Sequence, residues 1–180
     1  WRQYVATGNY QKVVYFDSMW RPVLSNEYDA SNVAPTLRSL RTTYDSSGRV
    51  NFQSYPVPDL IPGNSGTRTF YDALDRVTRV EQDSEHNVLA TDTEYLPGLQ
   101  VRVTNPRGLQ STTGFMAWDQ PGYDLPLWSS QPEGKVIEIA RHPQFGWPLQ
   151  LKQRSADNSL QQVRSYVYDG HAQLCKTIEP

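Results

Sequence analysis

Between residues 99 and 104 apolar and polar side chains alternate, Leu99, Val101 and Val103 against Gln100, Arg102 and Thr104. A period of two puts the apolar set on one face of a half-buried β-strand. NPRG at 105–108 then turns the chain, with Pro106 in the second turn position and Gly108 in the fourth, the places such turns favour. Residues 109–116 return toward Trp118. The plan recurs downstream: VIEIARH precedes HPQFG, then come LQLKQR, a turn at SADN (155–158) and LQQVRSYVY running into Asp169. DSEHN (83–87) and QPEG (131–134) fill the same turn slot. Helical periodicity is nearly absent. Its best stretch, residues 30–40, is interrupted by Pro35 and has no capping box, so it predicts a short helical turn and no more.

The alternation is punctuated at a regular interval. Aligned on an aromatic residue, the segments are FDSMWRPV (16–23), YDSSGRVN (44–51), YDALDRVT (71–78), YLPGLQVR (95–102), WDQPGYDL (118–125), HPQFGWPL (142–149) and YDGHAQLC (168–175). Their leading positions lie 23 to 28 residues apart, the signature of an internal repeat. The fourth and sixth copies have drifted furthest: Leu96 and Pro143 stand in the Asp slot, and His142 in the aromatic one. Each unit has room for two strands and two turns, so seven units predict about fourteen strands. The first fifteen residues, with WRQY and KVVYF, read as a strand entering from an earlier unit. Longer inserts at 24–43 and 55–69 break the period and read as surface loops.

The aromatic–Asp element has a mechanical reading. Asp45 occupies the first position of a four-residue turn and Gly48 the fourth, where the carboxylate can accept the turn's own N–H groups. Asp17, Asp72, Asp119 and Asp169 hold the same slot, and Gly122 and Gly146 close the turns of their copies. Phe16, Tyr44, Tyr71, Tyr95, Trp118 and Tyr168 end incoming strands, where their rings can pack beside rings of neighbouring units. Arg49 and Arg76 open the outgoing strands within reach of a carboxylate or a ring face.

Composition agrees with an all-β chain rich in turns: 12% aromatic residues, 13 Pro and 11 Gly against 37% apolar content. At 180 residues it fits one domain with a core, and its net charge of −2 argues against a dedicated nucleic-acid or membrane-surface binder. No apolar run long enough for a membrane span and no signal-peptide pattern is present, and the start at Trp1 suggests a piece of a longer polypeptide. The single cysteine, Cys175, excludes an internal disulfide framework and reads as a small, semi-buried side chain. His86, His142 and His171 have no ligand spacing, so no metal or cofactor is expected. A Ser-His-Asp triad lacks any supporting context. A glycosidase carboxylate pair is disfavoured because the Asp residues repeat one turn role.

The pattern Y-D-x-x-G-R-[LV], recurring every twenty-odd residues between P-x-G or N-x-x-G turns, resembles the YD repeats of Rhs proteins. YDSSGRV carries it most fully, YDALDRV lacks only the Gly, and YDGHAQL keeps the frame. The resemblance spans roughly residues 10–180. It extends to Rhs polymorphic toxins, Tc toxin components, wall-associated bacterial proteins and teneurins. It implies consecutive antiparallel β-hairpins forming a curved open sheet over residues 1–180, a segment of shell wall. Such a shell encloses a C-terminal toxin until a type VI or similar bacterial machine delivers it. The implied partners are neighbouring repeats of the same chain, the enclosed toxin and secretion-system tip or adaptor proteins. The family's D-P-x-G-L self-cleavage element, a toxin domain and a PAAR-like tip have no match here. The expectation is therefore a non-enzymatic wall segment, secreted by delivery from the cytoplasm. The alternative is a carbohydrate-binding surface of exposed Tyr, Trp and Arg.

Overall fold

A computed structural model describes residues 1–117 and 122–179. They form two compact units, residues 1–90 and 91–180. The first unit is a run of hairpins: β1 (Arg2–Thr7), β2 (Tyr10–Phe16), β3 (Pro22–Asp29), β4 (Arg38–Tyr44), β5 (Val50–Ser54), β6 (Gly66–Tyr71) and β7 (Val77–Asp83). Each strand pairs antiparallel with the next in sequence. The second unit repeats the plan with the paired part of β8 (Val88–Leu96), β9 (Gln100–Thr104), β10 (Gln110–Phe115), β11 (Pro126–Ser130), β12 (Lys135–Arg141), β13 (Pro148–Ser155), β14 (Gln161–Tyr168) and β15 (Leu174–Ile178). There too every pairing is antiparallel and sequential. Among the described residues neither ladder closes on itself. The chain is all-β.

The period-two reading of 99–104 holds in part: the strand begins at Gln100, Leu99 falls in the preceding turn at φ +54, and all five strand residues are half-buried. Val101 and Val103 face Tyr95 and Thr93 across β8, and Thr113 and Ser111 across β10. The only helix described is α1 (Val33–Thr36), a single turn containing Pro35. The count reaches fifteen strands because the first fifteen residues form two strands, not one. Gly8, at φ +58, makes the tight turn of the β1–β2 hairpin.

The first insert differs from its reading as a surface loop, whereas the second is one up to the start of β6. Most of 24–43 is strand, in β3 and β4, separated by α1. The segment 55–65 is a largely exposed loop whose one buried residue is Pro62. Tyr55 and Ser65 close it by a 2.9 Å backbone hydrogen bond, and Val57 bridges to Ser39. Pro62 of this loop and Ser39 of β4 are fully buried. Leu37, before β4, and Phe52, in β5, are the buried hydrophobic side chains of the described residues. Gly66 sits where β5 and β6 approach so closely that a Cβ would strike the backbone of Gln53 and Ser54. Elsewhere most sheet residues are only half-buried, as in arrays whose units are stabilised by their neighbours. No described helix is long and apolar enough to cross a membrane.

Candidate functional site

Asp17, Asp45, Asp72 and Asp169 each open a turn of one design. The N–H of the Asp donates to the carbonyl four residues on, and the N–H three residues on donates back to the Asp carbonyl, at 2.9–3.2 Å. Oδ1 then accepts the N–H groups two and four residues on, at 2.8–3.0 Å in all four turns. These bonds satisfy the donors that a reversal of the chain leaves without ladder partners. The residue three after the Asp lies in the left-handed region: Trp20, Gly48, Asp75 and Ala172 at φ +62, +84, +63 and +66. Only Gly48 does so without Cβ strain. Each aromatic residue before the Asp sits at a register shift in its strand, so the joint is a tight turn followed by a bulge.

In three joints the side chain four residues on seals the carboxylate. Arg21, Arg49 and Arg76 donate through Nε to Oδ2 of Asp17, Asp45 and Asp72 at 2.7–2.8 Å. The Asp17 carboxyl lies below the ordinary carboxylate range, chiefly because of the Arg21 N–H. Partial desolvation pushes Asp45 and Asp72 up, but the N–H groups and guanidinium of Arg49 and Arg76 together outweigh it and leave both lowered. A carboxylate so engaged is held as a structural anion rather than poised to exchange a proton.

The joints are also linked to one another. Tyr44 donates its hydroxyl to the Pro22 carbonyl at 2.9 Å, Tyr71 to Val50 at 2.9 Å and Tyr168 to Pro148 at 3.0 Å. Each acceptor directly follows the last residue of the preceding joint. The Arg21 guanidinium lies 4.4 Å over the Tyr44 ring, and that of Arg49 lies 4.6 Å over Tyr71. Tyr44 and Tyr71 were expected to pack against rings; a guanidinium covers them instead, because the residue closing the preceding turn is Arg. At Tyr168 that residue is Trp147, which stacks on the ring at 5.0 Å and 13°. Phe16 and Trp20 are 6.2 Å apart, and Trp20 stacks on Trp1 at 4.9 Å.

Two copies are placed differently from their alignment. His142 takes the Asp slot rather than the aromatic one: its Nδ1 accepts the Gln144 N–H at 3.2 Å, and Gly146, at φ +70, donates to its carbonyl. Arg141 stands where Tyr stands elsewhere, donating Nε to the Pro126 carbonyl at 2.9 Å. In the 95–102 copy Tyr95 lies in β8, and the following turn runs through Gly98 and Leu99, both at positive φ, without an Asp. At the other end of β9 the NPRG turn uses the Asp design, with Asn105 accepting from Arg107 and Leu109 through Oδ1. Trp118 and Asp119 lie outside the described residues, and Gly122 precedes β11. Cys175 is exposed rather than semi-buried, because β15 is paired on one side only among the described residues. His86 and His171 are exposed turn residues.

Sequence reasoning passed over Arg21, Trp147 and, within the NPRG turn it placed, the acceptor role of Asn105. Arg21 and Asn105 carried a signal: Asp17–Arg21 repeats the four-residue spacing of Asp45–Arg49, and Asn105–Gly108 repeats that of Asp45–Gly48. Trp147 carried none, since an inserted residue moves it to the fifth position.

No family model and no curated protein matches the chain. Among solved structures, a mutant Tc holotoxin pore of Photorhabdus luminescens is similar, with a TM-score of 0.64 and 14% identity. The match covers 93% of this chain and 9% of that one. At that identity the likeness is one of fold, and the chain spans about a tenth of the neighbour's length.

Proposed function

We propose that the chain is a stretch of protein wall, part of an Rhs-type β-shell that screens an enclosed toxic or unfolded cargo until delivery. The observation that carries this reading is the linked joint. Four Asp residues and one Asn make the same turn, and successive Tyr hydroxyls tie one turn to the next. Repetition of a turn role places these carboxylates in mechanical service, which supports a non-enzymatic module. A continuous hydrogen-bonded ladder with half-buried faces is suited to forming a partition, because the backbone polar groups are consumed within it. The fold likeness to a Tc toxin assembly is consistent with that role. The partners on this reading are neighbouring repeats, the cargo, and the tip or adaptor of a secretion machine.

The test is protease protection in the polypeptide that carries this stretch. Cargo should resist digestion in the wild type and become cleavable in an Asp45→Ala/Asp72→Ala variant. Equal sensitivity of both overturns the wall reading. So does a glycoside hydrolysed by the chain and spared by either variant.

A further inference from the structure

Arg41 is out of keeping with its neighbours. The forks of Arg21, Arg49, Arg68, Arg76 and Arg154 each engage a carboxylate at 2.6–2.9 Å. Among the described residues Arg41 has no carboxylate partner. Its Nη2 donates to the single amide oxygen of Asn64 at 2.8 Å, and the adjacent Nε–H is cut off from solvent without an acceptor. A fork shaped for two oxygens thus holds one, and an unsatisfied, half-buried guanidinium N–H is destabilising. Asn64 belongs to the 55–65 loop, so the placeholder is carried on the one segment here that is not a ladder strand.

Beside this fork lies an open groove of about 570 Å³, within the range of small-ligand sites. Its lining includes the exposed ring of Phe70, with Tyr71, Asn51, Asn64 and Arg68, while Phe52 is buried under the guanidinium groups of Arg41 and Arg68. The Arg41 guanidinium stands 5.3 Å from the Phe52 ring centroid, which orients it without neutralising it. Asp45 lines the same groove and disfavours a second negative charge there.

We infer that this groove is a subsite for a carboxylate-bearing sugar of the uronic acid class. The carboxylate takes both donors of the Arg41 fork in place of the Asn64 amide. The pyranose C–H face lies on the Phe70 ring, and the asparagine amides meet its hydroxyls. A dianionic phosphate would gain from the cation but not from the ring, and would meet Asp45. The inference is independent of the wall reading, since a shell surface with or without cargo can carry it.

The test is calorimetric titration of the whole chain with trigalacturonate, its neutral methyl ester, and acetate at equal carboxylate concentration. Saturable binding of trigalacturonate, at least ~10-fold tighter than of the ester and of acetate, is expected. Arg41→Gln should remove that preference with its far-ultraviolet circular dichroism unchanged. Asn64→Asp fills the fork internally, so it should raise the melting temperature and abolish trigalacturonate binding even if Arg41→Gln fails to fold. Equal binding of acid and ester, undiminished binding by Asn64→Asp, or no binding of trigalacturonate overturns the proposal. Acetate binding as tightly as trigalacturonate overturns the sugar assignment.

Discussion

The joints at Asp45 and His142 perform the same reversal with different chemistry. At Asp45 a carboxylate gathers two N–H groups and a guanidinium, and the guanidinium then covers the ring of Tyr71. At His142 the acceptor is an imidazole that takes one N–H, and the covering group is Trp147 on Tyr168. Phe145 and His142 complete a cluster around that indole, with centroids 4.6 and 5.3 Å from it. What the turn loses in charge-assisted hydrogen bonds is offset by buried ring surface. The far end of both joints is nonetheless the same, a Tyr hydroxyl on the carbonyl that follows. The shape of the link is kept and its energy source is exchanged.

The largest expected effect tests what stands outside this comparison. Phe52→Ala removes the principal buried ring of the first unit and should cost about 3 kcal/mol, read as a lower denaturation midpoint. The aromatic joint should then prove the more sensitive to truncation. Trp147→Ala strips the stack from Tyr168 and should cost about 2 kcal/mol; a loss under a quarter of that would mean the cluster is decoration.

Smaller effects follow from the shared parts. Tyr71→Phe and Tyr168→Phe each delete one hydroxyl–carbonyl bond and should each lose about 1 kcal/mol, alike in the two settings; unequal losses would break the equivalence of the links. Ala172→Gly should raise stability by about 1 kcal/mol, because the position is already at φ +66.

Acid should separate the joints by chemistry. Asp17, Asp45 and Asp72 have folded pKa values below their ordinary 3.8. Their stabilisation is therefore complete above that value and is lost as pH falls through the lowered folded values. The amide resonances of Met19, Arg21, Ser47, Arg49, Leu74 and Arg76 should shift together in that window, with no matching transition at Gln144. Asp157, held at about 2 by the Ser155 hydroxyl and by the Ser159 N–H and hydroxyl, should keep those bonds until the pH falls to about 2.

The joints themselves were legible because their bonds close within five residues. Asp, a left-handed position three on and a base four on suffice, and YDSSGRV displays all three. The drifted copy at 142–149 was misread by one position because alignment on a ring ignores which atom can accept an N–H. Imidazole Nδ1 replaces a carboxylate oxygen, which a look at side-chain chemistry reveals and a look at aromaticity conceals. The all-β class and the strand–turn alternation followed equally from short-range pattern.

What the sequence alone determined is thus the hairpin and its turn, both set by neighbours along the chain. Only the tertiary structure decided that Arg21 covers Tyr44 across 23 residues, that Pro62 of the exposed 55–65 loop is buried, and that Arg41 faces an amide instead of a carboxylate. Those contacts depend on which strands become neighbours and on how far a loop reaches. A local pattern carries no record of either, because the same residues could satisfy their bonds with water until the sheet brings their partners within range.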